Sequence, residues 1–130
     1  IYKFSNNSKE AKRAYLFAVD YHEKLHDKIG EGRAMKRIAE FYMQNSRLDE
    51  AGKWFRKATV KIQNAEPHIV KAKVYEARAH YFIKTDQILE ALDSFQKAKK
   101  TYDKIGYPLG YDNISPMIQK LKRTQKNKLT

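Results

Sequence analysis

Two histidines, His22 and His26, are four residues apart and could share one face of a helix. Two imidazoles at this spacing can bind the same metal ion, although such pairs are also common by chance. The sequence near them offers no third ligand, and His68 and His80 are expected at the surface or in a groove. We therefore predict neither a metal centre nor a bound cofactor.

Glycines at Gly30 and Gly32 enclose Glu31 ahead of a predicted helix, as in part of a phosphate-binding loop. No strand precedes them, and neither a third glycine nor a Gly-Lys-Ser/Thr sequence follows. We interpret them as the end of one helix and the turn before the next. No Ser/His/Asp set or pair of catalytic carboxylates is evident, and Asp49 and Glu50 fit the start of a helix. The sequence predicts a protein that is not an enzyme.

The chain is strongly basic, with 27 Lys and Arg against 15 Asp and Glu and a formal net charge of +12. This balance favours acidic partners, including nucleic acid, anionic membranes and acidic proteins. Nine tyrosines could stack on bases, but several are assigned to the core, and the basic residues are spread over every helix. No apolar run is long enough to cross a membrane, and cysteine is absent. We expect a cytoplasmic or nuclear protein that does not insert into membranes.

The elements that would position these side chains repeat every forty residues. Small and aromatic residues recur in four registers: Ala11, Ala51 and Ala91; Tyr15, Phe55 and Phe95; Ala18, Ala58 and Ala98; Tyr2, Tyr42 and Phe82. A period in this range is typical of helical repeat proteins. The predicted fold class is all-α, an α-solenoid of antiparallel helix hairpins with a short C-terminal helix.

Turn and cap residues predict where the helices begin and end. Ser8, Ser46 and Asp86 suit N-caps, and Ser115 with Pro116 suits the start of a last helix. The DKIG sequence at 27–30 recurs at 103–106 and predicts the same helix ending twice. The basic segment 120–128 is expected to fray. The predicted helices are 8–27, 31–44, 47–64, 67–84, 88–104 and 115–124.

The register also predicts how the domain is organised. Residues 1–130 form one domain, divided into the second half of a repeat (1–30), two repeats (31–66 and 67–106) and a capping or next-repeat helix with a basic tail (107–130). Residues 1–4 align with 41–44 and 81–84, which are ends of first helices. We therefore expect that the chain starts inside a repeat and belongs to a longer protein.

Each unit has an alanine and an aromatic residue three apart, followed by A-x3-F/Y-x2-A on the next helix: Ala39, Tyr42, Ala51, Phe55 and Ala58, then Ala79, Phe82, Ala91, Phe95 and Ala98. This pattern, over about residues 1–104, resembles the tetratricopeptide repeat, which implies a right-handed superhelix. The period is longer than the usual one of about 34, and the large first-helix aromatic position holds Met35 and Tyr75, with no tryptophan. In these respects the chain is similar to the long-helix repeats of bacterial regulatory proteins and sensor kinases. HEAT-type repeats are the alternative fold, but their prolines and Asp/Arg ladder are not evident.

The resemblance implies that the first helices line a concave groove that binds a protein or peptide. It assigns partner contacts to these positions: Arg33, Lys36, Glu40, Met43, Gln44, Lys73, Glu76, His80, Ile83 and Lys84. The groove would be net basic and suit an extended or helical peptide with acidic residues. Lys36 and Lys73 match part of the clamp for chaperone tails, but Glu40 and Ala77 do not, so such a receptor is disfavoured.

Three other interpretations stay open at the level of sequence. The same positions could be the solvated faces of amphipathic helices. The chain could bind nucleic acid through its charge. It could also serve only as a structural or self-associating domain of a sensor or transcription regulator, joined through exposed ends of the solenoid.

Overall fold

A computed structural model describes residues 6–129, and within this range every regular element is an α-helix. The all-α prediction is therefore confirmed. The first four residues, including Tyr2 of the fourth register, lie outside the described part of the chain. The helices are α1 (Asn6–Lys24), α2 (Lys28–Gln44), α3 (Leu48–Ile62), α4 (Ile69–Lys84), α5 (Ile88–Lys104) and α6 (Pro108–Leu129).

The helices belong to two compact units, Ile1–Ala65 and Glu66–Thr130. In the first unit α2 packs against both α1 and α3, and in the second α5 packs against both α4 and α6. Connections of three residues, at 25–27, 45–47, 85–87 and 105–107, make these packed neighbours antiparallel. The end of α6 accordingly returns to the start of α5, where Lys128 Nζ lies 3.5 Å from Asp86 Oδ1.

These four connections have the same hydrogen-bonded geometry. After each helix one residue takes a left-handed conformation: His26 (φ 55°), Ser46 (φ 60°), Asp86 (φ 58°) and Gly106 (φ 67°). The next N–H group donates to the carbonyl five residues back, as from Asp27 to His22 at 2.9 Å and from Gln87 to Phe82 at 2.8 Å. This is the Schellman ending, which supplies partners for helix carbonyls that would otherwise have none.

The turn geometry corrects several predicted caps. Ser46 and Asp86 are the left-handed residues of turns, and the N-caps of α3 and α5 are Arg47 and Gln87, without side-chain cap bonds. These two residues were predicted as N-caps because Ser and Asp are favoured both at N-caps and in turns. At α4 the N-cap is His68, whose Nδ1 accepts from Val70 N–H at 3.0 Å.

The glycine pair was also misassigned, because Gly30, Glu31 and Gly32 lie inside α2 and are buried. Asp27 is the N-cap of α2, and its Oδ1 accepts from Gly30 N–H at 2.9 Å. The helix ending lies earlier, at His26, so the DKIG sequence at 27–30 starts a helix whereas its copy at 103–106 ends one. The predicted repetition of one helix ending is therefore wrong.

The last helix is longer than predicted. It starts at Pro108 and includes Pro116, and Ser115 Oγ donates to Tyr111 O at 2.9 Å instead of capping a helix start. Residues 120–128 are helical and not frayed. The reason is packing on α5, because Ile114, Ile118 and Leu121 are buried.

The registers locate the core of both units. Ala51, Phe55 and Ala58 on α3, and Ala91, Phe95 and Ala98 on α5, are at most 1% exposed. The first copy of the same register, on α1, is only half-buried. Glycine permits the closest contacts between helices, since a Cβ at Gly32 would collide with Ile62 and one at Gly110 with Tyr102.

Candidate protein-binding surface

The predicted contact residues of the first unit form one stripe along α2. Arg33 and Gln44 are exposed, and Lys36, Glu40 and Met43 are half-buried. Their spacing of three to four residues keeps them on one side of the helix, and the residues between them, except Arg37, are buried. The structure thus brings all five predicted residues of this unit together.

The charged residues of this stripe differ in how easily a partner can reach them. Lys36 Nζ donates to Glu40 Oε1 at 3.0 Å, and the Lys36 side chain is only 18% exposed. Arg33 and Arg37 are exposed and enter no ion pair within the described residues. These two arginines are therefore the cations that a partner meets first. Arg37 was missed in the sequence, although its spacing of four residues from Arg33 placed it on the same face.

Next to the stripe lies a cavity of about 240 Å³ lined by residues of α1 and α2. Tyr15 and Phe41 form its aromatic wall, with ring centroids 6.4 Å apart at 67°. The polar wall consists of Arg37, Glu40 and Gln44. An aromatic wall beside a guanidinium and an amide can hold one apolar or acidic side chain of a bound peptide.

The predicted residues of the second unit are more engaged with their neighbours. Lys73 Nζ lies 5.7 Å from the centroid of the Tyr102 ring, and Glu76 Oε1 accepts from Tyr102 O–H at 2.7 Å. His80 contacts Phe95 edge to face, at 5.3 Å and 89°. Only Ile83, which is 39% exposed, and Lys84 stand clear near the end of α4. We conclude that Lys73, Glu76 and His80 also contribute to the packing of α4 on α5.

The tie between Tyr102 and Glu76 changes the acidity of the phenol. Tyr102 is fully buried, and this burial raises the pKa of the phenol well above its usual value near 10. The hydrogen bond to Glu76 and the charge of its carboxylate raise that pKa further. Tyr102 is therefore a neutral donor throughout the physiological range and holds the Glu76 carboxylate in place.

The histidine pair does not lie on one helical face. α1 ends at Lys24, and His26 is the left-handed residue of the following turn. His22 Nδ1 lies 3.0 Å from Asp27 Oδ2. Among residues 6–129 no group of three or more His, Asp or Glu side chains is placed to hold a metal ion.

A second polar groove lies between α5 and α6. It has a volume of about 300 Å³, and its basic lining residues are Lys99, Lys100 and Lys122. Lys99 Nζ lies 4.6 Å from the centroid of the Tyr111 ring, and Asp103 adds one carboxylate. This groove could not be found from the sequence, where the basic segment 120–128 was expected to fray.

Comparison with known proteins gives no relative: no protein family, no curated protein and no solved structure matched the chain. None of the helices described between residues 6 and 129 is both long and apolar enough to cross a membrane.

Proposed function

We propose that the chain is a non-catalytic protein-binding module that contacts an acidic segment of its partner with the exposed stripe of α2. The observation that carries this proposal is the combination of two arginines without ion-pair partners among the described residues and an adjacent cavity with an aromatic wall. A guanidinium binds a carboxylate through two parallel hydrogen bonds, which favours Asp and Glu in the ligand.

We further propose a tetratricopeptide-like α-solenoid, cytoplasmic and part of a larger regulatory or scaffold protein. Four turns of one geometry and the forty-residue register of buried residues support this fold. In such a protein the repeats supply a surface and another part of the protein supplies any chemistry. The proposed role is therefore recognition.

The proposal is tested with a library of displayed peptides selected on the purified chain. We expect enrichment of peptides that carry Asp or Glu beside an apolar residue. Their affinity should fall at least about tenfold in the double variant Arg33→Glu and Arg37→Glu, because an attraction is replaced by repulsion. Circular dichroism would show that the variant keeps its helices.

A matched control makes the same change of charge elsewhere in the first unit. Lys53 and Arg56 are exposed on α3, and their double change to Glu should leave peptide binding within about twofold. Equal losses of peptide affinity in both double variants would show that the effect comes from the net charge and not from this surface. Selection without any enriched peptide would contradict the proposed function.

A second candidate function is nonspecific binding of nucleic acid by the groove between α5 and α6. Three lysines beside Tyr111 combine phosphate attraction with a surface for stacking. The triple variant Lys99→Glu, Lys100→Glu and Lys122→Glu should then abolish retention of single-stranded RNA at low salt and remove the salt dependence. Retention equal to that of the unmodified chain would exclude this groove.

A further inference from the structure

Helix α1 exposes aromatic side chains, whereas the large apolar residues that its repeat equivalents expose are aliphatic, Val60 on α3 and Leu89 on α5. Phe17 is 71% exposed and Tyr21 52%, and Leu25 in the following turn is 58% exposed. The residues at the Phe17 position of α3 and α5 are Lys57 and Lys97, both exposed to water. Thus α1 carries the ring of Phe17 where the other two helices carry charge, and the ring of Tyr21 where they carry Lys61 and the buried Thr101. Exposed apolar patches of this kind mark interaction sites.

The exposed residues follow the spacing of a coiled-coil seam. Glu10, Ala14, Phe17, Tyr21 and Lys24 are separated by four, three, four and three residues, and all five are exposed. The centre of the seam is apolar, and its two ends have opposite charges. The rings of Phe17 and Tyr21 stack at 6.5 Å and 15°, so the apolar centre is one continuous surface.

We propose that this seam binds a second copy of the chain, with the two α1 helices antiparallel and crossing at Phe17. This arrangement places Glu10 of each copy beside Lys24 of the other, and Ala14 beside the Asp20–Tyr21 step. It also places Arg13 near Tyr21, where a guanidinium can lie over the ring. A parallel arrangement would instead bring Glu10 to Glu10 and Lys24 to Lys24. The charge pattern of α1 therefore selects the antiparallel pair.

The proposed contact is isologous, because the same residues face each other across a two-fold axis. A seam of one 19-residue helix is short, so we expect a dimer with a dissociation constant of about 10 to 100 µM. The surface lies on α1 and does not use the arginines of α2. Dimerisation and peptide binding can therefore fail separately in experiments.

Sedimentation velocity from about 1 to about 500 µM measures the association directly. We expect a concentration-dependent shift to dimer, which Phe17→Glu abolishes. Glu10→Lys and Lys24→Glu should each weaken the dimer at least about fivefold, and the double variant should restore it, because the ion pair is re-formed with its charges exchanged. The double variant Arg33→Glu and Arg37→Glu is the control that should dimerise normally.

The absence of cysteine from the chain permits a test of orientation. Oxidation of an equimolar mixture of Ala14→Cys and Asp20→Cys should yield the mixed disulfide well above the roughly one half of all product that random pairing gives. A chain that stays monomeric at every concentration, an unaffected Phe17→Glu variant, a double charge exchange no better than either single, or a statistical mixture of disulfides would each overturn the proposal.

Discussion

The helices α1 and α3 carry the same register of residues but differ in what covers it. Ala51, Phe55 and Ala58 of α3 are at most 1% exposed, whereas Ala11 and Tyr15 of α1 are half-buried. Helix α3 follows α2 in a hairpin and is tied to it by Lys61 Nζ, 3.4 Å from the buried Glu31 carboxylate. Among the described residues α2 is the packed neighbour of both helices, and α3 shares the larger contact with it. The repeat pattern therefore marks the residues that can be buried, and the extent of the contact with α2 determines whether they are.

The largest predicted difference between α1 and α3 concerns their aromatic residues. Phe55→Ala should lower the free energy of unfolding by about 3 to 5 kcal/mol, because it leaves a cavity in a closed core. Tyr15→Ala should cost about 1 to 2 kcal/mol, since the half-exposed ring buries less area. Urea denaturation followed by circular dichroism measures both. Equal losses would show that α1 is packed as tightly as α3.

Two glycines of α2 lie close to these two helices, Gly30 to α1 and Gly32 to α3. Gly32→Ala should destabilise the protein by about 1 to 2 kcal/mol, because the new methyl group meets the fully buried Ile62. Gly30→Ala meets His22 and the cap carboxylate of Asp27, two half-buried side chains that can turn towards water. Its cost should be smaller, about 0.5 kcal/mol, because the higher helix propensity of alanine offsets part of the disturbance of the cap. Thermal melts measure both variants. A lower melting temperature for Gly30→Ala than for Gly32→Ala would contradict this prediction.

The position held by His22 and Ile62 is occupied in α5 by Tyr102, and this change adds a dependence on pH. The pKa of Tyr102 is raised in the folded state, so its contribution to stability is complete below the unfolded pKa near 10 and is lost as the pH rises beyond it. Tyr102→Phe should cost about 1 kcal/mol at neutral pH through the lost bond to Glu76. It should also flatten the fall in stability above about pH 10. Urea titrations at several pH values would show parallel curves if Tyr102 had no such role.

Smaller effects are predicted in the turns that follow α1 and α5. His26 holds φ 55° with a side chain, whereas Gly106 holds φ 67° without one. Glycine adopts this conformation without steric cost, so His26→Gly should stabilise the protein by about 0.5 to 1 kcal/mol, and Gly106→Ala should destabilise it by a similar amount. Differential scanning calorimetry would detect both. A loss of stability in His26→Gly would mean that its side chain contributes more than the strained backbone costs.

The fold class and the core could be predicted because small and aromatic residues at a fixed period are a strong signal. Phe55 and Phe95 are buried as predicted. Helix starts were harder to predict, since Ser46 and Asp86 suit a left-handed turn as well as an N-cap. Pro116 suggested a helix start, but it lies inside α6. The packing of α6 on α5 keeps the helix continuous at this residue, and the sequence does not reveal that packing.

The candidate surface could be predicted only as a set of positions. The periodicity placed Arg33 and Gln44 on one face of α2, and both are exposed. It could not show that Lys36 is held by Glu40, or that Glu76 accepts a hydrogen bond from Tyr102, because these depend on side-chain conformation and on contacts between helices. The exposed aromatic face of α1 was also hidden, since its register is that of a core helix.

The spacing of the four left-handed residues has a consequence for how such chains can change length. Positions 26 and 46, and again 86 and 106, are twenty residues apart, while 46 and 86 are separated by forty. A gain or loss of forty residues between equivalent turns would rejoin the same local backbone geometry. Duplication, recombination and laboratory grafting can therefore all exchange segments at these turns. Glycine is preferred at the left-handed position of each turn but is not required there.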